Sequence, residues 1–180
     1  DTLTFFEEQR KTYTLTIDNN KAQVTSDEVM NVMPMLPIER IYKALVLGIR
    51  EYFLKQGFTK AVLGLSGGID SAVVAALAAR ALGAENILGV AMPSQYSSGH
   101  SLEDAEALAR NLGVQFEVRP IKFMYSTTSR ILAEDRGELA SVALENLQAR
   151  LRGITLMTLS NHGLGKGTQR VPALVLTTGN

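Results

Sequence analysis

One stretch constrains the fold more than any other. An apolar run, Ala61 to Leu65, breaks into Ser66-Gly67-Gly68-Ile69-Asp70-Ser71 and is followed by an alanine-rich segment that reaches Gly83. The run has the length of a buried strand, and the segment after it has the length and composition of a helix. A strand handed to a helix through so short a turn brings backbone N–H groups and the positive end of the helix to one spot, and such a spot binds anions. Gly67 and Gly68 carry no side chain to hold a phosphate off the main chain, while Ser66 and Ser71 add hydroxyl donors. Asp70 repels a bare phosphate, so its presence makes sense when a Mg²⁺ stands between carboxylate and phosphate oxygens. The competing reading is a Gly-Gly turn in which Asp70 merely caps the helix. No Gly-Lys-Ser/Thr follows, so the loop is not a Walker A motif.

The flanking chain repeats this alternation. Apolar residues at Ile38, Ile41, Tyr42, Leu45, Ile49, Tyr52 and Phe53 keep helical spacing from Pro37 until Gly57. Ile87 to Met92 and Gln115 to Arg119 read as strands, and Ser101 with Asp104 resembles a capping box opening a helix that Gly113 ends after Leu112. A long helix is expected over 141–160 and a short buried strand over 173–177. Strands alternating with helices are the pattern of an α/β fold with a doubly wound, mainly parallel sheet flanked by helices, in which ligands sit at the C-terminal strand ends. Residues 1–36 stand apart as an appendage, with Tyr13 to Ile17 and Ala22 to Thr25 forming a hairpin around Asp18, Asn19 and Asn20.

Charge and composition exclude several functions. Eighteen basic residues balance eighteen acidic ones, which leaves no net field to hold a nucleic acid. The absence of cysteine removes disulfides, thiolate metal sites and a cysteine nucleophile from this chain. No run approaches the roughly 18 apolar residues of a membrane helix, and no basic-then-apolar leader opens the sequence, so a cytoplasmic location is the default. A start at Asp1 and a stop at Asn180, just after an apolar run, give the expectation of a fragment truncated at its C-terminus.

Ser-Gly-Gly-Ile-Asp-Ser after an apolar strand resembles the signature loop of the ATP pyrophosphatases, which cleave ATP between its α and β phosphates and adenylate a substrate oxygen. Three further segments, in order, resemble the glutamine-dependent NAD synthetases within that group: Met92-Pro93-Ser94-Gln95-Tyr96-Ser97-Ser98 with Asp104-Ala105, Glu145 to Gly153, and Leu174 to Asn180. The resemblance spans about Ile38 to Asn180 and implies an adenine nucleotide alpha hydrolase-like fold. It implies that residues 37–180 are an incomplete synthetase domain, with 1–36 a linker or the tail of a glutaminase domain. It also implies ATP and Mg²⁺, with deamido-NAD and ammonia from glutamine as the other substrates, and a homodimer or higher oligomer.

The site residues implied are Ser66, Gly67, Gly68, Ile69, Asp70, Ser71, Met92 and Thr178 for the nucleotide, with Asp70 also the metal ligand and Asp70 and Ser66 catalytic. Asn146 and Arg150 are implied to hold deamido-NAD. In the family a glutamate just past the Thr-Gly-Asn loop supplies a second metal carboxylate, and this sequence stops before it, so the fragment is expected to be inactive alone.

The helix itself leaves that assignment open. Asn146 and Arg150 lie one turn apart on one face, with Gly153 opening space beside them, and an Arg beside an Asn suits a phosphate plus a ribose or amide. From the helix alone, a solvated face with Glu145 pairing nearby arginines is the better reading. Gly163 to Thr168 superficially resembles a phosphate loop, but no strand precedes it, so a flexible surface loop is expected. His100 and His162 receive no metal. Tyr96 is equally a ring for stacking on a base or a packing group in a loop. The rivals are another ATP pyrophosphatase, tRNA-modifying or GMP-forming, and an ATP-binding fragment without turnover.

Overall fold

The computed structural model describes residues 2–3, 14–18, 21–25, 31–32, 36–97, 99–165 and 167–178. The chain divides into two compact units, Asp1–Leu47 and Gly48–Asn180. In the first, β1 (Thr2–Leu3) and β4 (Asn31–Val32) pair in parallel, while β2 (Thr14–Asp18) and β3 (Lys21–Thr25) form the antiparallel hairpin expected, with Asp18 opposite Lys21. The turn residues Asn19 and Asn20 lie outside the described residues. Helix α1 (Pro37–Gln56) starts on a proline, whose missing N–H costs nothing in a first turn.

The second unit holds a four-stranded parallel sheet made of β5 (Lys60–Gly64), β6 (Ile87–Ala91), β7 (Gln115–Val118) and β8 (Ala173–Leu176), in the order β7-β6-β5-β8. Its helices are α2 (Ile69–Leu82), α3 (Gly99–Leu112), α4 (Lys122–Ala133) and α5 (Ser141–His162). Period-two alternation along the strands sorts the apolar side chains onto two faces. Ala61, Leu63 and Ile87 pack with Phe53 of α1, Ala75 and Ala78 of α2, and Ala105 and Ala109 of α3. Val62, Leu88 and Val90 pack on the other face with Tyr125 of α4 and Leu151 and Leu156 of α5. Two helical layers therefore enclose one sheet, which is the doubly wound arrangement expected.

Three local expectations change. Helix α3 begins at Gly99, so Ser101 lies inside its first turn and opens no capping box. Helix α4 is a gain: Ile121, Tyr125 and Thr128 mark its inner face, but its Ser126-Thr127-Thr128-Ser129 run consists of weak helix formers. The loop after α5 is anchored, since Leu164 is buried and exchanges both backbone hydrogen bonds with Val171, at 2.8 and 3.0 Å. Lys166 lies outside the described residues. Among the described residues no helix is long and apolar enough to cross a membrane.

Candidate functional site

The strand order turns back at β5. Chain that proceeds β5 to β6 to β7 in one direction returns to place β8 on the other side of β5, and the crevice at the carboxyl ends beside such a reversal is where open α/β sheets bind ligands. A cavity of about 760 Å³ lies there. Ser66, Gly68, Asp70 and Ser71 line it from the loop after β5, Met92 and Pro93 from the end of β6, and Thr177 and Thr178 from the end of β8. Helix α5 closes it with the stripe Ala149, Arg152, Gly153 and Leu156, spaced i, i+3, i+4, i+7.

The loop keeps its shape through its own hydroxyls. Ser71, only 4% exposed, donates from Oγ to the Gly68 carbonyl at 2.9 Å and accepts from the Ser66 N–H at 3.3 Å. The Ser66 and Ser71 hydroxyls lie 3.2 Å apart, and Ser66 Oγ accepts from the Gly68 N–H at 3.2 Å. The first intrahelical bond of α2 runs from Ala72 N–H to Gly68 O, so the N–H groups of the preceding turn have no intrahelical acceptor and remain for an anion.

Gly68, without a side chain, occupies the cap position, and Asp70 is the second residue of the helix. Asp70 is therefore not a cap: its carboxylate is exposed on the cavity wall. Among the described residues no three metal-ligating side chains cluster, but a single carboxylate beside a helix N-terminus able to take an anion fits Mg²⁺, which takes one or two carboxylates and fills its other positions with phosphate oxygens and water.

Gly67 is fixed by two constraints. Its φ is +81°, and a Cβ there would stand 2.5 Å from the Ser101 carbonyl oxygen. Helix α3 thus butts its first turn against the loop, a contact that only glycine permits. Gly67 and Ile69 line a second, smaller hollow of about 330 Å³ together with Gly68, Ala72, Asp104 and Leu108. Ile69 is 75% exposed.

The remaining expected residues divide. Met92 is buried and lines the main cavity, its methyl filling the space beside Gly64, where an added Cβ would meet Met92 Cε at 3.1 Å. Asn146 and Arg150 are exposed on α5 and do not line it. Asn146 precedes Ala149 by one turn along the same helix, and Gly153 does open space, since a Cβ there would meet nothing within 4 Å.

Sequence reasoning missed Arg152 and Leu156 as lining residues. Continuing the helical stripe in both directions from Gly153 would have found them. Tyr96 lines the cavity while its ring meets Tyr125 edge-on, with centroids 6.2 Å apart. Gln95's side chain, then the Tyr125 hydroxyl, hold the Tyr96 phenol below its ordinary pKa; burial, then Tyr96 itself, raises Tyr125. The Gly163 to Thr168 glycines are absent from both hollows, against a phosphate role for the described part of that loop.

Comparison with known proteins identifies a family for the chain. The sequence model of the NAD synthase family matches residues 41–180. The chain is 44% identical over 167 residues to a glutamine-dependent NAD(+) synthetase of Synechocystis, covering 92% of this chain and 28% of that protein. It is 50% identical over 143 residues to one of Aquifex aeolicus, covering 79% and 24%. Among solved structures, the glutamine-dependent NAD+ synthetase of Acinetobacter baumannii in complex with ADP superposes with a TM-score of 0.74 at 38% identity, covering 92% of this chain and 30% of that one. The chain thus spans under a third of the length of these relatives.

Proposed function

Because the chain belongs to the NAD synthase family, we propose that it is the ATP-pyrophosphatase part of a glutamine-dependent NAD synthetase, converting deamido-NAD to NAD. The observation that carries this reading is the convergence of the signature loop with Thr177, Thr178 and the α5 stripe on one cavity at the sheet's reversal point. The ADP in complex with the Acinetobacter baumannii relative supports nucleotide binding by this chain.

In this reading a carboxylate oxygen of deamido-NAD attacks the α-phosphorus of ATP, the bond to the β phosphate breaks, and pyrophosphate leaves. Ammonia then attacks the acyl carbon, the bond to AMP breaks, and the nitrogen sheds a proton as the amide forms. Such displacements need positioning and charge neutralisation more than a general base. Ser66, Gly67, Gly68, Ile69 and Ser71 hold the β and γ phosphates through backbone N–H groups and hydroxyls, and Thr178 reaches the same phosphates. Met92 packs under the nucleotide. Asp70 would hold Mg²⁺, which supplies charge neutralisation to the phosphates when bound.

Asn146 and Arg150 grip deamido-NAD; their exposed place on α5 fits a second substrate arriving from beyond the cavity. Ammonia comes from a glutaminase domain elsewhere in the full-length protein, with 1–36 the connection to it and 37–180 the synthetase part. The enzyme acts in the cytoplasm, and exposed apolar side chains such as Phe123, Ile154 and Met157 support a dimer or larger assembly.

The test is pyrophosphate release by the full-length protein given ATP, Mg²⁺, deamido-NAD and ammonium, with other acceptors in parallel and the 180-residue chain alone beside it. Release that requires deamido-NAD and yields NAD is expected, with none from the short chain. Release only with another acceptor overturns the NAD reading. In the full-length protein Asp70→Asn should cut Mg²⁺-dependent release at least about 100-fold with circular dichroism unchanged; unaltered turnover removes Asp70 from the metal site.

A further inference from the structure

Two charged side chains line the main cavity among the described residues, Asp70 and Arg152. Arg152 is half-buried and makes no hydrogen bond or ion pair with any described residue. Of the other described arginines, some are partnered and some are not. Arg110 reaches Glu106 at 3.4 Å, Arg119 pairs with Glu117, and Arg50 donates from Nε to the Ala81 carbonyl at 3.4 Å. Arg80, Arg130, Arg136, Arg150 and Arg170 are exposed to bulk water, whereas Arg152 is half-buried on the cavity wall, so a ligand group entering the cavity comes within reach of its guanidinium, always charged and carrying five donors. Small residues flank it on the stripe, Ala149 one turn before and Gly153 beside it, and no atom stands within 4 Å of where a Gly153 Cβ would be. The wall around Arg152 is therefore open to a ligand group.

The phosphate loop and the α2 N-terminus serve one side of the cavity, and Arg152 stands on the α5 wall. We propose that Arg152 holds the α-phosphate of the nucleotide, the phosphate that the loop does not hold and that persists from ATP through the adenylate to AMP. This rests on reading the cavity as the ATP site. A guanidinium there matters most when AMP departs: the phosphate carries one negative charge in the adenylate and two in AMP, and a fixed cation favours the state with more charge.

The test uses the full-length protein and ligands that separate the two ends of the nucleotide. In calorimetric titrations, Arg152→Ala should weaken AMP binding about tenfold or more while changing the affinity for Mg-pyrophosphate by less than about twofold, and Arg152→Lys should recover part of the AMP affinity. In turnover, kcat should fall with little change in KM for deamido-NAD.

Three results overturn the proposal: unchanged AMP affinity, a loss borne by pyrophosphate instead, or a rise confined to KM for deamido-NAD. The titrations need no acceptor, so if NAD formation fails in the unmodified protein, the AMP result still decides the role of Arg152.

Discussion

At the scale of single residues, the signature loop combines chemistry with steric necessity. Ser66, Asp70 and Ser71 are recognisable from sequence because hydroxyls and a carboxylate at a strand-to-helix turn have an evident use. Gly67 was legible as an open approach for phosphate, but its second constraint was not, because the Ser101 carbonyl that faces it comes from another helix. Gly67→Ala meets both a positive φ and a backbone oxygen at 2.5 Å. It should lower stability by more than about 1 kcal/mol and weaken ATP binding at least about tenfold, read by chemical denaturation and by nucleotide titration. Retained ATP affinity would show that the loop tolerates displacement of α3.

Among the elements, α5 links the site to the core. Its last turn is tied to β8 by Ser160, whose buried Oγ donates to the Ala173 carbonyl at 2.6 Å, and β8 carries the chain to Thr177 and Thr178. Ser160→Ala leaves that carbonyl without its partner, which costs about 1–3 kcal/mol. The unfolding transition should fall by about 3 °C or more in scanning calorimetry; an unchanged midpoint would mean that the bond contributes nothing net.

The elements with strong periodicity or clear stops were legible in the sequence: α1 from its apolar spacing and Pro37, the central strands from their apolar runs, α5 from its length. Helix α4 was not, since hydroxyl residues mask its inner face, and the α3 start was not, since Gly99 and His100 signal a turn locally and become helical in the packed structure. For the cavity, the loop after β5 was readable but the α5 wall only partly. Which stripe of a long helix faces a ligand depends on how the helix lies on the sheet, and Arg152 rather than Arg150 lines the hollow.

For the whole molecule, composition set limits and topology set the site. Equal numbers of basic and acidic residues agree with recognition by local groups, two charged side chains within one cavity, rather than by a long-range field. The sheet order β7-β6-β5-β8 also has a temporal consequence. Lys60 and Ala173 are register partners, so β5, whose following loop lines the cavity, finds its second neighbour more than a hundred residues later in the chain. At synthesis rates of about 5–20 residues per second, β5 waits on the order of 10 s on the ribosome with the N–H and C=O groups of one edge unpaired. A chain ended before Ala173 should accordingly aggregate more than the chain reaching Thr178, measurable by light scattering at matched concentration. Equal scattering would mean that the open edge is shielded in another way. Until β8 docks, the nascent protein presents the β5 edge to its surroundings, and the strand that carries Thr177 and Thr178 to the cavity covers that edge with its own.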